Sequence, residues 1–355
     1  MRRRDNSLEL LYIGQNGGVE AGLARDAGLR FVGVFGGKFR RDASRAWWQR
    51  LIDLPTLLRN LRDLFAIGLG TLQCLWQLAR FRPAVIFNKV GPAGLPVGLA
   101  ARLLGIPMVI HEPDVVPGLA NRVLSRWAVK VAVGFPAEAY QHLPASKLVF
   151  TGTPVQTLAA VGERAAGREH FGFQSSKSLI LVTGGSQGAT ALNTALIKIL
   201  PELLAFTQVH HLTGTRDHRR VVEQTQGVGV GYRSDPSLPL PDMQLALAAA
   251  DVVVARAGAN TIAELANLAK PTILVPNHEA AAHQVANAAT LEQAGASLVV
   301  RDTNPPALLE AVASILSTRT EQRRLSSHIT AFAHPDAADR LAALILAAAT
   351  RGTAA

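Results

Sequence analysis

Short apolar runs alternate with longer amphipathic stretches along this chain. Runs at residues 8–13, 31–35, 84–88, 108–111 and 130–133 read as buried strands, and the series continues at 148–150, 179–182, 209–212, 252–254, 272–275 and 297–300. Helical patterns fall between them, at 22–29, 92–104, 118–127, 189–204, 260–269 and 283–294. Leu192, Leu196, Ile199 and Leu200 share one helical face, the stripe of a helix packed on a sheet. Strands separated by whole helices pair in parallel through crossover connections. Residues 154–172 lack strand character and carry Gly162, Arg164, Gly167 and Arg168, so a domain boundary is expected near 155–175. The pattern therefore predicts an α/β chain of two doubly wound, Rossmann-like domains facing a cleft. They would span residues 1–160 and 161–335, with a closing helix at 336–355.

Composition narrows the function. A chain of 355 residues is long for one core, and 48% hydrophobic with 17% charged residues excludes wholesale disorder. The single cysteine, Cys74, has no internal disulfide partner and lies in an apolar helical pattern, which suits a buried structural thiol. The net charge of +10 suggests nucleic acid, an anionic membrane surface or phosphorylated substrates. Aromatics are only 5%, without an RNA-binding cluster, so nucleic acid is not expected. The longest apolar stretch, 64–79, is interrupted by Gln73 and Gln77 and is short for a bilayer span. A soluble or peripheral protein is expected.

Two small-residue turns in the second half carry the chemistry. Gly184-Gly185-Ser186-Gln187-Gly188 joins a strand to a helix, where glycines let the main chain approach a phosphate and Ser186 adds a hydroxyl. A tight turn with no ligand is the alternative. Arg256-Ala257-Gly258-Ala259-Asn260-Thr261 opens another helix after a strand, with Glu264 in its first turn. That carboxylate either complements the helix dipole or accepts two ribose hydroxyls. After the strand 272–275, Asn277, His278, His283, Gln284 and Asn287 form a cluster suited to sugar hydroxyls; no cysteine joins the histidines, so no metal is expected. In the first half, His111-Glu112-Pro113-Asp114 ends a strand and would face the cleft; a structural turn is the alternative. Between 38 and 82, nine Lys and Arg residues interleave with Trp47, Trp48, Leu51, Leu57, Leu58, Leu61 and Phe65. That mixture reads as a surface for anionic lipid, or else as an amphipathic helix with its tryptophans buried.

Together these stretches resemble the MurG family of bacterial glycosyltransferases. The Gly184–Ala189 stretch, the Arg256–Glu264 stretch, His283-Gln284-x-x-Asn287-Ala288 and the closing Pro335-Asp336-Ala337-Ala338-Asp339-Arg340 look like family signatures in the right order. The resemblance implies a GT-B arrangement and inverting, metal-independent transfer of N-acetylglucosamine from UDP-N-acetylglucosamine to a lipid-linked muramyl-pentapeptide, without a cofactor. It also implies a role in peptidoglycan synthesis and a peripheral place on the cytoplasmic side of the cell membrane.

Carried over by residue, Gly185, Ser186 and Gln187 would hold the donor diphosphate. Leu240 would meet uracil through its backbone, and Ala259, Asn260, Thr261, Ile262, Ala263 and Glu264 would line the nucleoside. Gln284 would hold hydroxyls of the sugar. The basic apolar segment near Trp47 would dock on the membrane.

The chain departs from the family in three places. The family opens with a strand and a Gly-Gly-Thr-Gly-Gly-His loop carrying a candidate general base. Residues 8–13 match the family's second strand, so the first domain is expected to lack its first. Asp114 replaces an asparagine, and Gln156 replaces an arginine near the donor. His111 and Asp114 are the first-half candidates for a base. A UDP-sugar transferase with another acceptor, or a truncated UDP-sugar-binding protein without catalysis, are the competing expectations.

Overall fold

The computed structural model describes residues 7–18, 20–37, 54–89, 91–156, 164–185, 188–277 and 282–352. The chain forms two compact units. One contains Met1–Glu112, Pro117–Thr151 and Ala338–Ala355, the other Pro113–Val116 and Gly152–Ala337.

The first unit runs β1 (Leu11–Gln15), α1 (Glu20–Asp26), β2 (Arg30–Val34), α2 (Leu54–Phe81), β3 (Ile86–Asn88), α3 (Gly94–Leu103), β4 (Met108–Glu112), α4 (Leu119–Leu124), β5 (Lys130–Val133) and β6 (Leu148–Phe150). β1 and β2 pair in parallel, and β3-β4-β5-β6 form a second parallel sheet in that order. Helix α3 approaches α4 so closely that a Cβ at Gly98 would stand 2.5 Å from Leu124.

The second unit continues with α5 (Arg164–Phe171), β7 (Leu179–Thr183), α6 (Thr190–Lys198), α7 (Leu200–Leu204), β8 (Gln208–Leu212), α8 (His218–Gln224), β9 (Tyr232–Asp235), α9 (Leu240–Ala249) and β10 (Val252–Ala255). Then follow α10 (Ala259–Asn267), β11 (Thr272–Leu274), α11 (Ala282–Gln293), β12 (Leu298–Val299), α12 (Pro305–Ser317) and α13 (Arg319–Ile329). Its parallel sheet has the order β12-β11-β10-β7-β8-β9. The chain builds outward from β7 to β9 on one side, then returns to β10 on the other. Such a reversal is the switch point at which open α/β sheets receive ligands, outside the carboxyl ends of the strands. β7, β8, β10 and β11 are buried throughout, as a sheet covered on both faces requires.

The stripe Leu192, Leu196, Ile199 and Leu200 is buried in one cluster with Ile180, Val182, Val209 and Val252. The helix expected over 189–204 is nevertheless two helices. Ile199 leaves helical geometry (φ −108°, ψ 6°) because Pro201 has no N–H and crowds the carbonyl four residues back. β9 has no apolar run to announce it: Tyr-Arg-Ser-Asp forms the polar edge of the sheet. Arg168 is fully buried and fully engaged, donating to the carbonyls of Ala249, Gln174, Ser175 and Lys177 and to Asp251 at 2.7 Å. The last helix, α14 (Ala337–Gly352), places Leu341, Ile345 and Ala348 on Val109 of β4 and Ala132 of β5, closing the first unit's core.

Candidate functional site

β7 and β10 are neighbours, with Thr183 paired to Ala255 at their carboxyl ends. The two small-residue turns therefore leave the sheet side by side. In the turn after β7, Gly185 (φ +80°) and Gly188 (φ +74°) occupy the left-handed region that side chains disfavour. The Gly185 amide donates to Thr183 Oγ1 at 3.2 Å, and the Gly188 amide donates to the Gly185 carbonyl at 2.9 Å. A Cβ at Gly188 would stand 2.6 Å from the Thr213 carbonyl oxygen, so the turn rests directly on the end of β8. Helix α6 then begins behind Ala189, which supplies no side-chain cap. Its first amides are thus available to an anion, which the helix dipole favours. Ser186 and Gln187 lie outside the described residues.

Beneath the turn runs a buried polar network that no local sequence pattern announces. Asn193 donates to the Thr213 carbonyl at 2.9 Å and to Asp217 at 3.1 Å. With its amide nitrogen so used, Asn193 Oδ1 accepts from His211 Nε2 at 3.0 Å, which leaves His211 Nδ1 to accept from the Tyr232 hydroxyl at 3.0 Å. Burial pushes the His211 pKa down to about 3, so this imidazole is neutral at physiological pH.

The turn after β10 is built differently. Gly258 caps α10 in ordinary extended geometry (φ −75°, ψ 138°), and a Cβ there would meet nothing closer than Thr261 Oγ1 at 3.9 Å. Arg256 donates from Nη1 to the carbonyls of Val275 (2.8 Å) and Pro276 (3.2 Å), tying this turn to the one after β11. Asn260 is exposed and Thr261 half-buried, whereas Ala259, Ile262 and Ala263 are buried and offer a ligand only their backbone. Glu264 lies in the second turn of α10, not the first, so complementing the helix dipole does not account for it; it is half-buried, and desolvation raises its carboxyl pKa. Leu240 opens α9 behind Pro239 and is 47% exposed. Gln284 Oε1 accepts from the Asn277 amide at 3.1 Å. Asn287 does not present its amide to a sugar: it donates to Asp114 (2.8 Å) and to the Ala257 carbonyl (3.0 Å), and accepts from the Val115 amide (2.9 Å). That side chain is the clasp that holds the Pro113–Val116 turn on the second unit. His278 and Glu279 lie outside the described residues.

Of the first-half candidates, His111 is fully buried inside β4, while Asp114 is half-buried and bonded to Asn287. Between them Glu112 is structural: one carboxylate oxygen accepts from the Gly118 amide (3.1 Å) and from Asn121 (2.7 Å). Gln156 is exposed. Among the described residues, no cluster of three metal-ligating side chains occurs. Cys74 is buried, and desolvation pushes its thiol up to about 12.

Helix α2 carries an outward apolar face. Leu57, Leu58, Leu61, Leu64, Phe65, Leu72 and Trp76 are each about half exposed or more, and Arg59 and Arg62 lie among them. Leu58, Leu61, Arg62, Leu64 and Phe65 line an open depression. Among the described residues, no helix is long and apolar enough to cross a membrane. Trp47, Trp48 and Leu51 lie outside the described residues.

Comparison with known proteins agrees with this architecture. Residues 1–133 match the glycosyltransferase family 28 N-terminal domain, and residues 179–341 match the family 28 C-terminal domain. The UDP-N-acetylglucosamine–N-acetylmuramyl-(pentapeptide) pyrophosphoryl-undecaprenol N-acetylglucosamine transferase of Lachnospira eligens is 36% identical, covering 89% of this chain and 85% of its own length. The enzyme of the same name from Moorella thermoacetica is 34% identical, covering 96% and 90%. The crystal structure of Acinetobacter baumannii MurG superposes with a TM-score of 0.71 at 26% identity, covering 97% of this chain and 92% of that one. With its two Rossmann-like domains of the GT-B fold, the chain belongs to the MurG family of glycosyltransferases.

Proposed function

We infer that this chain transfers N-acetylglucosamine from UDP-N-acetylglucosamine to undecaprenyl-pyrophosphoryl-N-acetylmuramyl-pentapeptide, the step from lipid I to lipid II in peptidoglycan synthesis. The observation that carries this reading is the pair of turns leaving Thr183 and Ala255 side by side at the switch point of the second sheet. One offers backbone amides to a diphosphate; the other offers a half-buried carboxylate, Glu264, to ribose hydroxyls. The Leu240 backbone at the start of α9 would meet uracil, and Gln284, already fixed by the Asn277 amide, would meet the sugar.

An acceptor hydroxyl attacks the anomeric carbon as the bond to the diphosphate breaks, inverting that centre. The charge gathering on UDP is met by the amides of the Gly184–Gly188 turn and the start of α6. No divalent ion is required by this scheme. Asp114 is the better-placed of the two base candidates, since the His111 ring has no exposed surface. The apolar face of α2, studded with arginines, supports peripheral attachment to an anionic membrane on its cytoplasmic side.

The test uses the full chain with radiolabelled UDP-N-acetylglucosamine and lipid I in anionic vesicles, beside calorimetry with UDP. Labelled lipid II and saturable UDP binding are expected. UDP binding with transfer only to a different acceptor would replace the acceptor assignment. UDP binding with no transfer to any acceptor would leave a nucleotide-sugar-binding protein. Absence of UDP binding would remove the whole reading.

A further inference from the structure

Three arginines surround the start of α8, and they are not equivalent. Arg219 is paired with Glu223 at 3.0 Å, one turn along the helix. Arg220 reaches Thr194, in the second turn of α6, at 3.3 Å. Arg216 instead donates from Nη2 to the hydroxyl of Thr190, the first residue of α6, at 3.2 Å. The nearest carboxylate to Arg216 is Asp217 at 3.8 Å, and that group is 9% exposed and already accepts from Asn193 while facing Arg220. The Arg216 side chain is 67% exposed. Its guanidinium therefore has one neutral acceptor, a weakly shared anion and several donors facing solvent.

Its position is set by the same contact that shapes the diphosphate turn. A Cβ at Gly188 would stand 2.6 Å from the Thr213 carbonyl oxygen and 3.1 Å from Gly214 Cα, so the 213–217 loop, which carries Arg216, lies against the turn at Gly188. Through its bond to Thr190 the guanidinium stands beside the start of α6, which Ala189 leaves without a side-chain cap.

We propose that Arg216 is a donor-binding residue, its guanidinium clamping the diphosphate of the nucleotide sugar against the start of α6. The proposal rests on the assignment of the Gly184–Gly188 turn to that diphosphate. A planar, permanently charged fork is the side chain best matched to phosphate oxygens. It holds the donor before transfer, and it meets the charge that builds on the departing UDP when the glycosidic bond breaks. The Thr190 hydroxyl occupies the fork when no anion is present.

The experiment compares the wild type with Arg216→Ala, Arg216→Lys and Arg219→Ala, all as full chains. Calorimetry with UDP and magnetic-resonance titration with uridine separate diphosphate from nucleoside binding. For Arg216→Ala the UDP Kd and the KM for UDP-N-acetylglucosamine are expected to rise about tenfold or more. Uridine affinity and Tm should stay unchanged, and the salt dependence of UDP binding should flatten. Arg216→Lys should recover part of the loss, and Arg219→Ala, which removes an equal charge at the neighbouring Glu223 pair, should bind UDP like the wild type. Wild-type UDP affinity in Arg216→Ala overturns the proposal while leaving the turn's assignment intact. An equal loss in Arg219→Ala also overturns it, because the effect would then be one of net positive charge and not of a clamp at the start of α6. A wild type that does not bind UDP removes the turn's assignment and the proposal with it.

Discussion

The turns after β7 and β10 read alike in sequence, each an apolar strand, a few small residues and a helix, yet they are built differently. The first depends on backbone geometry. Two glycines, Gly185 and Gly188, sit at positive φ, and Gly188 is pressed against the Thr213 carbonyl, so both positions disfavour a side chain. The second depends on side chains. Gly258 has ordinary dihedrals and open space around it, while Arg256 and Glu264 provide the bracing and the polar contact. An anion is best met by many amides at short range, whereas a pair of sugar hydroxyls needs one well-placed acceptor. The three glycines of the first turn and the single Gly258 of the second therefore carry different weight.

The sharpest way to break the comparison is Gly188→Ala. Alanine in the left-handed region costs about 1–2 kcal/mol. Its Cβ would also stand 2.6 Å from a main-chain oxygen that cannot rotate away. The turn must shift, and the amides that we assign to the diphosphate shift with it. UDP affinity is expected to fall about a hundredfold or more, equivalent to roughly 2.7 kcal/mol. Calorimetry reads this directly, and unchanged affinity would show that the turn is not the anion cradle.

Glu264 sharpens the other side. Glu264→Ala should weaken UDP about tenfold through loss of charge-assisted hydrogen bonds to the ribose. The raised carboxyl pKa adds a pH signature. As pH falls, Glu264 takes up its proton earlier than an ordinary carboxylate, so UDP binding should weaken on the acid side, and Glu264→Gln should flatten that limb. Stability runs the opposite way. Between the unfolded and the raised folded pKa the folded state binds more protons, so ionising Glu264 costs stability as pH rises. Glu264→Gln should therefore raise Tm at neutral pH while weakening UDP, the mark of a carboxylate kept for binding. A lowered Tm would identify it as structural.

The two turns also show what a sequence can disclose. β7 and β10 are continuous apolar runs because helices cover both faces of the sheet, and the Leu192–Leu200 stripe carries its period in the open. Local patterns of this kind depend on neighbours along the chain. β9 was hidden because an edge strand needs no apolar run, and the break at Ile199 was masked by an apolar stripe that continues through Pro201. The site divides in the same way. Glycines and Glu264 stood out by their place between strand and helix. The bonds from Asn193 to Thr213 and His211, from Arg256 to Val275, and from Asn287 to Asp114 join residues 18 to 173 positions apart, and only strand order and register bring them together. Asn287 is instructive: an amide beside Gln284 invites assignment to a sugar, but its three bonds all go to protein.

Gly258→Ala gives the smallest effect and the most direct control. The new methyl would find only Thr261 Oγ1 at 3.9 Å, and φ of −75° is favourable for alanine. Glycine at a helix N-cap is preferred over alanine by about 1 kcal/mol or less. Opposing this, alanine restricts the unfolded chain and returns about 0.4–1 kcal/mol. The two nearly cancel, so Tm should move little and UDP affinity should stay within about twofold of the wild type, a difference of roughly 0.4 kcal/mol. A loss comparable to that of Gly188→Ala would mean that ligand approaches Gly258 as closely as the Thr213 carbonyl approaches Gly188. The second turn would then be a backbone cradle too, and Glu264 would no longer account for the difference between them.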